Sequence, residues 1–181
     1  MRYAKIRKMD ISNGPGIRVS IFVQGCSFHC KGCFNQDTWD FNGGKEFTDE
    51  IFDKLIELCK GEHIQGLSIL GGEPLHKNNA DTVFEIIKRF RKECPGKDIW
   101  LWTGYKIENI TSNPFVNIND KKAMREALLP VSIIYNVDVL VDGPFEIDKA
   151  NPNLKYKGSE NQRVIDIKKT LQNHERTLYE N

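Results

Sequence analysis

The sequence predicts an α/β protein whose parallel sheet forms an open or partial barrel. Strand-like and helix-like stretches alternate from Arg18 to Val141, which implies parallel strands joined by helical crossovers. Each of four strands is followed by a loop of unusual composition. The 181 residues suffice for one sizeable core but fall short of the roughly 250 typical of a closed eight-stranded barrel.

Residues 17–23 read as a strand, with Ile17, Val19, Ile21 and Val23 on one face at period two. Residues 48–60 read as a helix capped by Thr48, with Asp49 and Glu50 in its first turn and Gly61 behind it. Its apolar stripe is Ile51, Leu55, Leu58 and Cys59. Residues 64–70 form a second strand, broken by Gly71-Gly72. A second helix covers 79–93, with Val83, Phe84, Ile87 and Phe90 inward and Pro95-Gly96 closing it. Residues 98–102 are a third strand, ending at Thr103-Gly104. A third helix is expected over 120–129, capped by Asp120 and stopped by Pro130. Residues 137–141 make a fourth strand, ended by Asp142-Gly143-Pro144, and flanking strands are expected at 3–7 and 163–167. Residues 111–119 look like a surface loop, and the polar chain from Asn173 onward is expected to fray. A single domain over 1–181 is expected, with its core at about 14–145 and segment 146–181 packing on or extending it.

Composition narrows the function. The 26 Lys and Arg against 25 Asp and Glu leave a net charge of +1, without the global field of a non-specific nucleic-acid binder. Apolar runs are too short to span a bilayer, and Met1 to Lys8 carry no apolar segment of an export signal, so a cytoplasmic location is expected. Five cysteines, an odd number, argue against a disulfide framework.

Three of those cysteines crowd into one loop after the first core strand, as Cys26-x3-Cys30-x2-Cys33. Structural zinc prefers four closed ligands, commonly two separated pairs, and there is no second pair here. His29 adjoins Cys30, a poor arrangement for two ligands of one small ion. Cys59 and Cys94 fall on helical apolar stripes and read as buried hydrophobes. An iron–sulfur cubane normally takes four thiolates; with three, one iron stays open for chemistry. Gly71-Gly72-Glu73-Pro74 taken alone is an ordinary turn. On the same rim as the cysteine loop, its glycines admit a ligand to the backbone, and Glu73 either accepts from an ammonium or positions the backbone. The loops after all four core strands gather at the C-terminal edge of a parallel sheet, where ligands bind.

The cysteine loop, with Phe34 directly after Cys33 and the Gly-Gly-Glu-Pro segment downstream, resembles the radical S-adenosylmethionine enzymes. Asn13-Gly14-Pro15-Gly16-Ile17-Arg18 and Phe22-Val23-Gln24-Gly25-Cys26 are similar to the glycyl-radical-enzyme activating proteins. Asn35 to Trp39, Ile99 to Tyr105, Val139 to Phe145 and Gly158 to Asp166 resemble the subgroup that serves anaerobic ribonucleoside-triphosphate reductase. The resemblance runs from about Tyr3 to Leu171. It implies a partial β/α barrel of the radical S-adenosylmethionine type. It also implies one 4Fe-4S cluster on Cys26, Cys30 and Cys33, with S-adenosylmethionine on the open iron, seated by Gly32, Phe34, Gly71, Gly72 and Glu73. Reductive cleavage would then give a 5′-deoxyadenosyl radical that takes a hydrogen atom from a glycine of the large reductase subunit, with a separate one-electron donor as second partner.

Other residues have plainer readings. Trp100 and Trp102 alternate onto one strand face and Trp39 sits in a loop; packing explains all three. Asp142 is a rim contact or a turn-forming Asp before Gly. His29 reads as exposed, and His76 as a residue near the site without a base's role. Basic residues at both ends (Arg2, Lys5, Arg7, Lys8; Lys155, Lys157, Arg163, Lys168, Lys169) read as solvated surface, with steering of an acidic partner as the alternative. Rival functions are an activase for pyruvate formate-lyase, a radical enzyme for a small molecule, and a zinc-stabilised interaction module.

Overall fold

Seven strands and five α-helices build the chain in a computed structural model that describes residues 1–112 and 120–180. The strands are β1 (Arg2–Asp10), β2 (Arg18–Val23), β3 (Lys45–Glu46), β4 (Gly66–Gly71), β5 (Asp98–Trp102), β6 (Val139–Asp142) and β7 (Arg163–Asp166). The helices are α1 (Asp49–Cys59), α2 (Lys77–Glu93), α3 (Ile107–Thr111), α4 (Lys121–Tyr135) and α5 (Ile167–Asn173). The strands form one open sheet in the order β3-β1-β2-β4-β5-β6-β7.

The middle of the sheet is parallel, as expected. Arg18 pairs with Gly66 and Val23 with Gly71 between β2 and β4, and the same sense continues through β5 and β6. Both margins are antiparallel, so the parallel arrangement expected from the core strands holds for the middle of the open sheet and not for the flanking strands. The connection from β1 to β2 is too short to carry a crossover helix, so the chain turns back beside itself. The link from β6 to β7 holds only a 3-10 turn at Ile147–Lys149 and also returns antiparallel.

The two sheet faces differ. Val19, Ile21 and Val23 point with Leu67, Ile69, Ile99, Leu101 and Leu140 into a core roofed by the helices, through Leu55, Ile56, Ile86, Ile87, Phe90, Ile133 and Ile134. Ile17 packs at its edge, as the period-two pattern required. On the opposite face a smaller cluster of Trp100, Val139 and Val141 is covered by Trp102, Tyr156, Val164 and Tyr179. Arg18 is fully buried there, paired with Asp98 and donating to Ser68 Oγ at 2.7 Å, its guanidinium over the Trp100 ring.

Three local expectations are corrected. Helix α4 does not stop at Pro130 but runs through it to Tyr135. An interior proline costs about 3 kcal/mol; Ile133 and Ile134 beyond it are fully buried, at roughly 1.5–3 kcal/mol each, which outweighs the break. The C-terminal stretch does not fray. The Tyr179 N–H donates to Val164 O at 2.9 Å, and the Tyr179 ring meets Trp100 edge-on at 5.0 Å. Within the supposed loop at 111–119, Thr111 ends helix α3; residues 113–119 lie outside the described residues. Among the described residues no helix is long and apolar enough to cross a membrane.

Candidate metal centre

The cysteine loop begins where β2 ends, and its base is clamped from several sides. Gln24, almost fully buried, donates through Nε2 to Asp37 O at 3.1 Å and Asp40 O at 2.8 Å. The Gly25 N–H donates to Thr38 O at 2.7 Å and the Cys26 N–H to Trp39 O at 3.0 Å. Asn79, from the first turn of α2, spans two loops: its buried Nδ2 donates to Gln24 O and to Glu73 O, each at 3.0 Å. Gly72 lies so close that a Cβ there would stand 2.5 Å from Gly25 O; the glycine lets the two loops touch. Gly32 has φ +74° and an added Cβ would meet Ile147 Cδ1 at 2.7 Å, so this turn of the loop also needs glycine.

Cys26, Cys30 and Cys33 all line one cavity of about 470 Å³, together with Phe34, Gly71, Gly72, Glu73, Thr103, Gly104 and Gly143. The four loops expected at one rim are thus brought together. The cavity also extends over the helix-free sheet face, where Lys5, Arg7, Phe22, Leu70 and Trp102 form its floor and wall. All three loop cysteines are free and half-buried, whereas Cys59 and Cys94 are buried in the core, as their positions predicted. Burial pushes the Cys26 and Cys30 thiols above their ordinary value, against the pull of nearby backbone N–H groups. Among the described residues no three or more His, Cys, Asp or Glu converge on a point that would hold a single metal ion. Three free thiols from one loop lining a single cavity are the donor type an iron–sulfur cluster takes.

Glu73 is 1 % exposed, and both carboxylate oxygens are engaged. Oε1 accepts from the Leu75 N–H at 2.9 Å and the Thr103 hydroxyl at 2.8 Å; Oε2 accepts from the Gly104 N–H at 2.8 Å. Burial pushes its carboxyl up to about 7, against these three donors. Of the two roles open to it, the geometry supports positioning the backbone. The far wall is lashed by the 158–166 segment: Asn161 Nδ2 donates to Pro144 O at 2.7 Å and Gln162 Nε2 to Gly143 O at 3.0 Å.

Several candidates are placed elsewhere. Asp142 is fully buried, neither a cavity residue nor a turn former; it accepts from the Ile107 N–H at 2.8 Å and pairs with Arg163. His76 caps α2, its Nδ1 accepting from the Asn78 N–H at 3.2 Å. His29 is exposed and lies against the Trp39 ring at 4.7 Å. Lys5, Arg7 and Lys157, read as solvated surface, also line the cavity, Arg7 remaining exposed. Lys5 Nζ sits 4.6 Å and the Arg7 guanidinium 4.9 Å from the Phe22 ring centroid. Alternation along β1 could have placed Lys5 and Arg7 on one face, but nothing local says what that face meets. Phe22 and Leu70 were hidden because strands buried on both faces show no polar side.

Comparison with known proteins agrees with this geometry. Residues 12–165 match the family model described as a 4Fe-4S single cluster domain. The anaerobic ribonucleoside-triphosphate reductase-activating protein of Vibrio cholerae is 42% identical over 166 residues, covering 91% of this chain and 97% of that protein. This chain belongs to the anaerobic ribonucleoside-triphosphate reductase-activating proteins. The Escherichia coli member is 39% identical with the same coverage. The member from phage T4 is 35% identical over 164 residues, or 91% of this chain and 93% of its own. The family's match as a 4Fe-4S domain favours a cluster over the zinc module.

Proposed function

We propose that this chain activates anaerobic ribonucleoside-triphosphate reductase by installing a glycyl radical, using S-adenosylmethionine and one 4Fe-4S cluster on Cys26, Cys30 and Cys33. The observation that carries the reading is the meeting of three free thiols from one loop with Gly71, Gly72, Glu73, Thr103 and Gly104 in a single cavity. Cys26, Cys30 and Cys33 would hold the cluster, which would supply the single electron for reductive cleavage of S-adenosylmethionine to methionine and the 5′-deoxyadenosyl group that takes a hydrogen atom from a glycine Cα of the reductase.

The chain's own residues select and shelter that chemistry. With Cys26, Cys30 and Cys33 as its holders, a four-iron cluster would have one iron without a protein donor, since Cys59 and Cys94 are buried in the helical core. Gly32 and the Gly71-Gly72 strand end keep the backbone bare, so polar groups of the nucleotide can approach its N–H and C=O groups. Glu73 acts indirectly, holding the loops after β4 and β5 at a set separation through its three hydrogen bonds. Phe22, Leu70 and Trp102 supply an apolar floor that excludes water. Phe34, 79 % exposed and 5.3 Å from the Phe145 ring, forms part of the wall beside the cysteines. The sheet in this reading is a partial barrel of the radical S-adenosylmethionine type with the helix-free face inward. An electron donor separate from the reductase completes the reaction.

The test is anaerobic mixing of iron-reconstituted protein with reductase, reductant and S-adenosylmethionine. A carbon-centred doublet on the reductase by electron paramagnetic resonance, with methionine and 5′-deoxyadenosine as products, is expected. Protein that carries the cluster and yields neither product nor doublet would sink the reading.

A further inference from the structure

Residues 143–162 join β6 to β7 and carry just one short helical turn, at Ile147–Lys149. A connection this long in a compact domain is usually functional. Its two arms are tied together: the Glu160 N–H donates to Lys149 O at 2.9 Å, the Asn151 N–H to Gly158 O at 3.3 Å and the Glu146 N–H to Ser159 Oγ at 3.2 Å. Gln162, half-buried and the last residue before β7, closes the neck. Its Oε1 accepts from the Gly158 N–H at 2.9 Å and the Ser159 N–H at 3.2 Å, while its Nε2 donates to Gly143 O at 3.0 Å. One side-chain amide therefore joins the start of the connection to its returning arm.

The same connection leans on the cysteine loop. Ile147 covers Gly32, where an added Cβ would stand 2.7 Å from Ile147 Cδ1. The Phe145 and Phe34 rings lie 5.3 Å apart. Gly158 is wedged against both, since a Cβ there would stand 3.0 Å from Phe145 Cδ2 and 3.2 Å from Phe34 Cε2. Burial pushes the Cys30 thiol up, and the Phe145 N–H pulls it back the other way. Gly32 and Phe34 flank Cys33, so these contacts fall on the stretch that carries two of the three thiols. The apolar shell around a metal site controls its access to solvent. Ile147 is 40 % exposed, with its outer side in water.

We propose that Gln162 is a positioning residue for the cluster: by tying Gly143 to Gly158 it holds the turn between them against the cysteine loop, where Phe145 and Ile147 shield the sulfur ligands from water. The proposal rests on the reading of Cys26, Cys30 and Cys33 as the cluster's holders, and adds what keeps solvent from them. Gln162 acts through backbone groups, so its removal frees the turn and leaves the three thiols in place. Ile147 is the cover itself. Truncating it opens the ligand loop without loosening the core, because a side chain already partly in water contributes little to stability.

The full chain is loaded anaerobically with iron and sulfide and mixed with an iron chelator, and the fading of the cluster's absorbance gives the rate of iron loss. The assay runs well below the melting temperature of every variant. Gln162→Ala and Ile147→Ala are each expected to speed the loss about tenfold. Ile147→Leu keeps an apolar cover and should match the parent. Because Gln162 acts through the turn, the double alanine variant should stay near the tenfold level instead of multiplying to about a hundredfold. Leu171→Ala, at an exposed apolar position on α5, is the control and should also match the parent. Should Gln162→Ala not fold, Gln162→Glu takes its place: it keeps an acceptor for both N–H groups and loses the donor to Gly143 O. An unchanged rate in either single alanine variant overturns the proposal, and so does a double variant at about a hundredfold. Failure of the unsubstituted chain to take up iron overturns the reading of the three cysteines instead.

Discussion

Asn79 is the single side chain that joins the cysteine loop to the Gly-Gly-Glu-Pro turn, and its removal is open to a quantitative test. Asn79→Ala deletes the donor to Gln24 O and Glu73 O, both at 3.0 Å, and a longer reach of 3.5 Å to Gly25 O. Glu73 O keeps the His76 N–H and Gly25 O keeps the Glu73 N–H, whereas Gln24 O has no other donor among the described residues. One orphaned buried carbonyl costs about 1–3 kcal/mol, and the lost bond to Glu73 O adds about 1 kcal/mol. The sum, about 2–4 kcal/mol, corresponds to a melting temperature lowered by roughly 4–16 °C for a chain of this size. Asn79→Asp removes the donor and turns a carboxylate toward carbonyl oxygens, so it should cost more than alanine at neutral pH. Thermal and urea unfolding measure the loss, and iron bound per chain after anaerobic reconstitution reports whether the loop is still formed. A melting temperature within about 2 °C of the parent, with full iron uptake, would refute the claim that this amide holds the two loops together.

Alanine at Cys26, Cys30 or Cys33 should abolish cluster retention and cleavage of S-adenosylmethionine, read by iron and sulfide analysis and by product formation. Alanine at Cys59 or Cys94 should lower stability by about 1–3 kcal/mol and leave the iron content intact; cluster loss there would mean a misplaced ligand. Burial opposes the charge on Asp138, but Lys168, the Ile99 N–H and Arg91 outweigh it and hold the carboxyl below its ordinary value. A depressed folded value means the stabilisation is complete above the ordinary value of 3.8 and disappears as pH falls through the folded one. Asp138→Asn should therefore be destabilising at pH 7 and indistinguishable from the parent in strong acid, by urea titration across pH. Pro130→Ala should restore a helical N–H in α4 and raise stability by about 1–3 kcal/mol, visible as a higher melting temperature; no change would show the helix already relaxed around the proline.

How much could be read from the chain alone varied with the range of the interaction. The three core crossovers, the cysteine loop and the glycine turn were legible because each is encoded within a few neighbouring residues: period-two or helical spacing, caps, and donor types at close intervals. Helix α4 was read too short because local proline chemistry was visible and the burial of Ile133 and Ile134 was not. The tail after Asn173 looked free because its polar composition hides one useful contact, the Tyr179 ring on Trp100. Asp142 looked like a turn residue for the same reason: its partners, Ile107 and Arg163, are far away in sequence.

The sequence by itself determined the three-cysteine loop, the parallel middle of the sheet and the gathering of four loops at one edge, since these follow from residue spacing and from strands running in one sense through helical crossovers. Only the tertiary structure decided that the sheet margins run antiparallel, that Glu73 spends both oxygens on backbone and hydroxyl donors, and that Lys5, Arg7, Phe22 and Trp102 wall the cavity. The physical reason is that a side chain's role is set by what stands opposite it. For residues on a sheet buried on both faces, that neighbour comes from a distant stretch of chain.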